Sequence, residues 1–377
     1  MARKIFFFVK SHFRERQWDT VRNVPEGFEA LYSLQEKPYG SVYTAKRGMN
    51  LFAKLKVKLL LTIPLLNIKK VPSIANQVDF IYTWGYLPLG AKKPFVIEID
   101  NPYCFTYYNP NAFYKYKKLI KKFLNKAYKL TFMSEASMYH FLHEFGVKFK
   151  EKSVVFYPYA KRRYKFNHNK DHKQINFLFV GLDYKIKGLI ELLEAFSHVN
   201  SQNINLYVVS FISENIKRRF EKDKRIIFLE PMSREKLLTE VYPKMDVFIM
   251  PSFYESFGVV LLEALSFGLG LIATNVYAVP ELLYNEENGI LLHHPFLKPE
   301  NFCGKLIINP VKYHLKEFKD LYLKEDFFYY SLYEELKEAI KRAIDECHLW
   351  KKSSIEIFEE RFSEDIWKRR FREIFTP

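Results

Sequence analysis

The sequence contains only three cysteines, Cys104, Cys303 and Cys347, and they lie far apart along the chain. Their spacing matches no zinc motif and no disulfide framework of a small secreted domain. We therefore expect reduced, isolated thiols, as in a cytosolic protein. No Asp-x-Asp pair lies in a loop suited to a metal ion. The nearest match, Glu98-Ile-Asp100, fits that motif poorly. No bound metal is expected.

Long apolar runs are also missing. The best candidate for a membrane span, "LFAKLKVKLLLTIPLLNI" at 51–68, contains Lys54, Lys56, Lys58 and a proline. The start, "MARKIFFFVKSHFRER", has too short an apolar core for a signal peptide. The sequence predicts a cytoplasmic protein and leaves open a peripheral position on the inner face of the membrane. The lysine-rich segment is read equally well as an interfacial helix on anionic lipid or as a core helix with solvated lysines.

Acidic residues are outnumbered: 59 Lys and Arg face 43 Asp and Glu, for a net charge of +16. Such a chain favours anionic partners. The positive charge is spread over both halves and no nucleic-acid-binding motif is found, so no nucleic-acid partner is expected, although a basic nucleic-acid-binding protein is kept as an alternative. Lys10, His12, Arg14 and Arg16 follow the first apolar run and either line a cleft or belong to a solvated loop.

Short apolar runs alternate with stretches of helical period in the second half. "INFLFVG" (175–181) precedes "GLIELLEAFSHV" (188–199), and the rhythm continues to "LGLIAT" (269–274) and a stretch taken as helical, "VPELLYNEENGILLH". The first half repeats the pattern less regularly, and the polar stretch 157–174 is interpreted as a linker. This order predicts βαβ units, hence an α/β fold of two Rossmann-like domains whose parallel sheets face a central cleft.

The stretch "PSFYESFGVVLLEALSFG" (251–268) places Glu255 and Glu263 on either side of Gly258 in an apolar environment. A buried carboxylate without a partner is costly. The free N–H groups of a helix beginning near Gly258 would bind an anion. A ligand with a central diphosphate fits, with its sugar against Glu255 and its ribose against Glu263. The alternative is that Glu263 pairs with a distant Lys or Arg.

The longer run "PSFYESFGVVLLEALSFGLGLIATNVYAVPELL" (251–283), preceded by "YPKMDVFIMPS", resembles the E-x7-E signature of glycosyltransferase family 4, retaining enzymes of the GT-B fold. The resemblance implies an acceptor-binding domain at 1–165 and a nucleotide-sugar-binding domain at 166–358. A C-terminal helix at 359–377 would be able to cross back to the first domain. Glu255 would contact the donor sugar and Glu263 the ribose.

A second part of the resemblance lies in "FLFVGLDYKIKGLIELLEAF". In the family a strand ends in Gly, an Arg follows, and a Lys-Gly pair begins a helix. The arginine and the lysine both bind the donor diphosphate. Gly181, Lys187 and Gly188 match this pattern, whereas Leu182 stands at the arginine position and Lys185 is a candidate substitute. Outside the family context, Lys187 would be read as a solvated surface lysine.

Two further expectations are positional. The nucleotide base is expected against the loop with Pro231 and Met232, unless these residues are ordinary loop packing. The first half resembles the family loosely, since it lacks the glycine-rich loop and places Asp100 where many members have a histidine. Asp100 either bonds the sugar or the acceptor hydroxyl, or forms an Asx turn before Pro102.

These features predict a retaining glycosyltransferase that moves a hexosyl or N-acetylhexosaminyl group from a nucleotide diphosphate sugar to a glycan or lipid-linked acceptor in cell-surface glycan synthesis, such as lipopolysaccharide or capsule. No cofactor beyond that co-substrate is expected. A sugar-nucleotide hydrolase, a glycoside phosphorylase and a nucleotide-binding pseudo-enzyme are the alternatives. The expected catalytic residues are Glu255, Lys187 and Asp100. The expected donor-binding residues are Gly181, Lys185, Lys187, Pro231, Met232, Glu255, Ser256, Phe257, Gly258, Val259 and Glu263.

Overall fold

The computed structural model describes residues 2–9, 14–32, 65–164, 174–323 and 327–376. Its first half contains a six-stranded sheet of order β2-β1-β4-β6-β7-β8, in which all pairings are parallel. The strands of this half are β1 (Arg3–Phe8), β2 (Phe28–Leu31), β3 (Ile68–Lys70), β4 (Phe80–Trp84), β5 (Leu87–Leu89), β6 (Phe95–Ile99), β7 (Lys129–Phe132) and β8 (Ser153–Val155). Strands β3 and β5 pair with each other beside the sheet.

The second half contains another six-stranded parallel sheet, of order β11-β10-β9-β12-β13-β14. Its strands are β9 (Ile175–Val180), β10 (Ile204–Val209), β11 (Ile226–Leu229), β12 (Val247–Met250), β13 (Gly270–Thr274) and β14 (Gly289–Leu292). A short antiparallel pair, β15 (Glu300–Phe302) and β16 (Lys305–Ile307), follows. Strand β12 reads Val-Phe-Ile-Met and is buried throughout, because helices cover both faces of a parallel sheet.

Helices occupy many of the connections between the strands, and the last helices follow strand β16. They are α1 (Glu15–Arg22), α2 (Pro110–Lys126), α3 (Glu135–Phe145), α4 (Leu189–Ser197), α5 (Glu214–Phe220), α6 (Arg234–Lys236), α7 (Val259–Ser266), α8 (Leu315–Tyr322), α9 (Tyr330–Arg361) and α10 (Glu364–Phe375). Helix α6 continues as a π-helical turn, Leu237–Val241, and a 3₁₀ turn, Tyr242–Lys244. Within the described residues, no helix is long and apolar enough to cross a bilayer.

The expected βαβ rhythm is confirmed, but the stretch expected to be helical after β13 is not a continuous helix. It contains only a 3₁₀ turn, Val279–Glu281, before strand β14. The Asn288 side chain accepts from the Tyr284 N–H and donates to the Leu282 carbonyl, which closes a turn. At Gly289 a Cβ would lie 1.7 Å from the Leu271 carbonyl oxygen, so the chain approaches β13 as a strand there.

The end of the chain lies on the first sheet. Phe375 in α10 packs against Phe80 and Tyr82, and Trp367 packs against Phe156. The Arg3 guanidinium donates to the Phe375 carbonyl at 2.6 Å. Helix α9 runs through position 358, and α10 begins at Glu364. The boundaries at 165 and 358 stay an interpretation of the sequence, and 165–173 of the expected linker lies outside the described residues.

Candidate active site

A cavity of about 540 Å³ lies between the two halves, beside the carboxyl ends of strands β6, β9 and β12. We call it the cleft cavity. This position follows the rule that ligands of parallel α/β sheets bind outside the carboxyl ends of the strands. The first half contributes Arg14, Glu15, Arg16, Asp100 and Met133 to its lining, and the second half contributes residues of the loops after β9 and β12, of the start of α6 and of α7.

Lys187 reaches the cleft cavity because of two glycines. Gly188 has φ of 64°, and a Cβ there would lie 2.2 Å from the Pro251 carbonyl oxygen. A Cβ at Gly181 would lie 2.9 Å from the Lys187 Cγ. Any other residue at these two positions would displace the lysine or the loop after β12, so the Gly-x5-Lys-Gly pattern has a steric basis.

Glu255 is the main partner of Lys187. Its Oε2 lies 2.7 Å from the Lys187 Nζ, and the same ammonium group donates to the Ser252 hydroxyl at 3.3 Å. The Glu255 Oε1 accepts from the backbone N–H groups of Ser256 at 2.9 Å and Phe257 at 3.4 Å. Burial alone would raise the pKa of Glu255, but Lys187 and these two N–H groups together hold that pKa below its ordinary value.

Gly258 caps helix α7, which begins at Val259, as the sequence predicts. Its φ of 86° is left-handed, which glycine adopts without strain. The first N–H groups of α7 have no acceptor within the helix, and the helix dipole adds partial positive charge at this end. Together with the Lys187 ammonium group they form a site suited to an anionic group.

Glu263 lies within helix α7 and is buried, with its side chain 8% exposed. Its Oε1 forms an ion pair with the Arg234 Nε, and its Oε2 accepts from the Tyr242 hydroxyl at 3.3 Å. Glu263 also lines the cleft cavity. The alternative that Glu263 pairs with a distant arginine is therefore observed, on the lining of the cleft cavity, and its contact with a ribose stays a prediction.

Arg234 also contacts the first half of the molecule. Its Nη1 donates to the Asp19 carboxylate at 2.7 Å, and its Nε lies 3.8 Å from the Glu15 Oε2. Both carboxylates belong to helix α1. Burial raises the pKa of Glu15, partly offset by Arg234. The guanidinium is thus surrounded by three carboxylates from both sides of the cleft.

Asp100 lies at the opposite side of the cleft cavity, just after β6. Its Oδ2 accepts from the Tyr108 hydroxyl at 2.7 Å, and its Oδ1 accepts from the Asn101 N–H at 2.9 Å. Burial raises its pKa, and Tyr108, Arg16 and Arg14 partly offset this. A 3₁₀ turn, Pro102–Thr106, follows Asp100, and its cap is the Asn101 side chain, which accepts from the Tyr103 N–H, so Asp100 is not the capping residue.

Glu98, the other acidic residue of this strand, is buried beneath the cavity. It forms an ion pair with Arg16 and accepts from the Tyr82 hydroxyl at 2.7 Å. The Tyr82 hydroxyl also lies 3.2 Å from the Thr131 hydroxyl. This carboxylate is fully engaged by the protein. In the described part of the chain, no group of three His, Cys, Asp or Glu residues is arranged to hold a metal ion. Metal-free chemistry stays a prediction.

Most of the expected donor residues line the cleft cavity. These are Gly181, Lys187, Glu255, Ser256, Phe257, Gly258, Val259 and Glu263, together with Leu182 at the position of the missing arginine. Lys185 is exposed and absent from the lining, because it lies in the turn whose carbonyl accepts from the Gly188 N–H. Pro231 and Met232 are absent from it as well, and Met232 packs against the core.

The basic residues after β1 divide into two pairs. Arg14 and Arg16 line the cleft cavity, whereas Lys10 and His12 lie outside the described residues, as do Lys54, Lys56 and Lys58 of the lysine-rich segment. The sequence interpretation did not identify Arg234 or Tyr108. Arg234 stands 29 residues before its partner Glu263, and no local pattern links them. Tyr108 follows Asp100 by eight residues, past a 3₁₀ turn.

Comparison with protein families finds that residues 160–307 match the family described as glycosyl transferases group 1. An uncharacterized 41.2 kDa protein in the cps region of Klebsiella pneumoniae is 28% identical over 213 residues, 54% of this chain and 58% of that protein. The D-inositol 3-phosphate glycosyltransferase of Corynebacterium efficiens is 40% identical over 77 residues, 20% of this chain and 18% of that enzyme. The chain thus covers less than two thirds of either relative.

Solved structures match over nearly the whole chain. Anabaena Alr3699/HepE in complex with UDP-glucose has a TM-score of 0.62 at 15% identity and covers 99% of both chains. WaaG, a glycosyltransferase involved in lipopolysaccharide biosynthesis, has a TM-score of 0.55 at 15% identity, over 99% of this chain and 100% of that one. The predicted fold class is confirmed: this chain has the GT-B fold, and its region 160–307 matches the glycosyl transferases group 1 family, which supports a glycosyltransferase.

Proposed function

We propose that this protein is a retaining glycosyltransferase that transfers a hexosyl or N-acetylhexosaminyl group from a nucleoside diphosphate sugar to a glycan or lipid-linked acceptor. One observation carries the proposal. The Lys187–Glu255 ion pair and the start of helix α7 lie together in the cleft cavity, at the carboxyl ends of the second sheet. Within the family signature, these are the groups expected at a donor diphosphate and its sugar.

The chemistry proposed for these residues is electrostatic. As the bond between sugar and diphosphate lengthens, negative charge grows on the leaving phosphate oxygens and positive charge on the sugar. Fixed cations and N–H groups that face the growing charge lower the barrier, since they need no reorganisation. Lys187 and the first N–H groups of α7 supply this stabilisation. Glu255 already bonds Lys187, so the incoming diphosphate would share that ammonium group with it.

The opposite end of the donor is assigned to Glu263. A ribose diol offers two hydroxyl donors to a carboxylate. Arg234 and Tyr242 each donate to one oxygen of Glu263 and hold its side chain at the lining of the cleft cavity. Asp100, across the cavity, is assigned to the acceptor hydroxyl. Its raised pKa suits a group that accepts a proton during transfer.

Relatives suggest a cellular setting for this activity. The name of the Klebsiella relative places it in a cps region, and the description of WaaG places that enzyme in lipopolysaccharide synthesis. By analogy we propose a role in cell-surface glycan synthesis. The net charge of +16 and helix α2, which carries lysines and no acidic residue, support contact with an anionic membrane surface.

A thermal-shift panel of UDP, GDP, ADP and dTDP sugars tests the donor assignment. A ligand that binds the native protein at a concentration about 100 times its Kd stabilises it by about 2.7 kcal/mol. One nucleotide series is expected to raise the melting temperature, and product analysis with and without acceptor then separates transfer from hydrolysis. Absence of stabilisation by every nucleotide would contradict the proposal. Binding without turnover would indicate the pseudo-enzyme.

A further inference from the structure

The lining of the cleft cavity carries less positive charge than the chain as a whole. It contains four cationic side chains and five carboxylates, although the net charge of the protein is +16. The donor of the proposed transfer would add the negative charge of its diphosphate to this space. A diphosphate bound there therefore needs a cation that the protein has not already compensated.

Three of the four cations already have carboxylate partners. Their ion pairs are Lys187–Glu255, Arg234–Glu263, Arg234–Asp19 and Arg16–Glu98. Arg14 is the exception, because the residue is exposed and its guanidinium takes part in no hydrogen bond or ion pair with the residues that the structure describes. An anionic ligand can engage this guanidinium without breaking an existing contact.

An apolar side chain lies where the family resemblance places a second cation. Leu182 lines the cleft cavity at the position of the family arginine. Lys185, the substitute that the sequence suggests, is exposed and absent from the lining. The second half contributes Lys187 and Arg234 to the lining, and both are paired. A further, unpaired cation at the leaving group therefore has to come from the first half.

Arg14 stands between the two ends of the expected donor. It precedes Glu15, whose Oε2 lies 3.8 Å from the Arg234 Nε, at the end assigned to the ribose. On the other side is Asp100, assigned to the reacting hydroxyl of the acceptor. Burial raises the pKa of Asp100, and Arg14 is one of the groups that partly offset this, so its charge acts at that end too. The middle of the donor, which is its diphosphate, is thus expected opposite Arg14.

We propose that Arg14 supplies the second cation for the donor diphosphate, from the first half of the molecule. A guanidinium group can donate two parallel N–H groups to phosphate oxygens. When the bond between the sugar and the diphosphate oxygen breaks, its electron pair stays on that oxygen, and Arg14 and Lys187 stabilise the charge there. The acceptor oxygen forms the new bond to the sugar, and its proton passes to Asp100. The inference rests on the proposed function, since it adds a residue to that same donor site.

Calorimetry with nucleotides on the full chain tests this assignment. UDP, GDP, ADP and dTDP are titrated into wild type, and the diphosphate that binds is then compared with its monophosphate. Arg14→Gln should weaken the Kd of the diphosphate about tenfold and that of the monophosphate about twofold at most, because the lost contact is to the phosphate next to the sugar. Arg372→Gln, which removes the same charge at an exposed position on α10, is the control and should change neither Kd.

The variant Leu182→Arg provides a second test, by rescue. Added to Arg14→Gln, it should restore the diphosphate Kd to within about threefold of wild type, because the cation returns to the same group from the other half of the molecule. In transfer assays Arg14→Gln should lower kcat about 100-fold, and the double variant should regain most of that loss. A residue with a merely structural role would not be replaced by a charge at position 182.

An unchanged diphosphate Kd in Arg14→Gln would overturn the inference. Equal losses for the diphosphate and the monophosphate would overturn it as well, since Arg14 would then act on the nucleoside or on the fold. A loss that Leu182→Arg does not reverse has the same consequence. Failure of every diphosphate to bind wild type would instead contradict the proposed donor site, and the inference with it.

Discussion

Arg234 donates to Glu263 of helix α7 and, at 2.7 Å, to Asp19 of helix α1, so a single guanidinium joins the two halves across the cleft cavity. Neighbouring carboxylates raise its pKa against the opposing effect of burial, and it stays charged. The residue that orients the expected ribose carboxylate is therefore also a residue that fixes the relative position of the domains. Donor binding and domain position are expected to be linked through this contact.

Replacing Arg234 by Gln should lower the stability of the folded protein and weaken donor binding. The buried Glu263 carboxylate would lose its cation, at a cost of about 1–3 kcal/mol in the free energy of unfolding, and the donor KM should rise about tenfold. Urea denaturation and steady-state kinetics measure the two effects. Arg234→Lys, which keeps the charge, should recover part of each. Unchanged stability together with an unchanged KM would show that the contact has neither role.

Glu255→Gln should lower kcat/KM by about 100-fold or more while UDP still binds. The amide keeps the shape of the side chain, but it ends the ion pair with Lys187 and removes the charge near the sugar. Transfer assays and calorimetry with UDP separate the two steps. Wild-type activity in this variant would refute the site, and loss of UDP binding as well would indicate a disturbed fold of the loop after β12.

Leu182→Arg should be tolerated and should raise turnover about tenfold. Leu182 lines the cleft cavity at the position where the family places a second cation for the leaving group, so the new guanidinium would face the diphosphate. Leu182→Met, of similar size and without charge, is the control and should behave as wild type. Slower transfer by the arginine variant would mean that this loop holds the donor differently.

Glu191 on α4 should make stability depend on pH. It is 3% exposed and accepts from the Tyr329 N–H at 3.2 Å, and burial raises its pKa from 4.5 to about 7. Because the folded-state pKa is the higher one, the stability that this group contributes is complete below pH 4.5 and is lost as pH rises through about 7. Glu191→Gln should therefore raise the free energy of unfolding at pH 8 by up to about 3 kcal/mol and change it little at pH 4.5.

Urea titrations of wild type and Glu191→Gln at the two pH values measure that difference. Glu235→Gln, at an exposed position on α6, is the control and should change neither value. An equal effect of Glu191→Gln at both pH values would show that its carboxyl group does not titrate differently on folding.

Removal of charge from the lysine-rich segment should weaken binding to anionic vesicles. The triple variant Lys54→Gln, Lys56→Gln, Lys58→Gln is expected to bind less to phosphatidylserine vesicles in a sedimentation assay, by roughly 1 kcal/mol per lysine near the surface. The matched control changes three lysines of α9, Lys337, Lys341 and Lys352, to Gln and removes the same total charge. Equal losses in both variants would indicate net charge alone, and no loss in either would remove the membrane contact.

The sequence by itself determined the parts of the site that neighbouring residues build. Helix α7 begins after Gly258, and Lys187 precedes the αL glycine that opens α4, because caps, turns and apolar periodicity act over a few residues. The alternation of apolar runs and helical stretches likewise predicted two parallel sheets. The exception, at Asn288 and Gly289, arose because a turn and a close backbone contact replaced a helical pattern.

Only the tertiary structure decided which distant groups meet. Asp19 and Arg234 are 215 positions apart, and Asn67 before β3, Tyr86 after β4 and Asp100 after β6 line one pocket. The partner of Glu263 follows from how Arg234, at the start of α6, packs against α7 and α1. Such contacts depend on the free energy of the whole packed chain, which no local pattern of residues encodes.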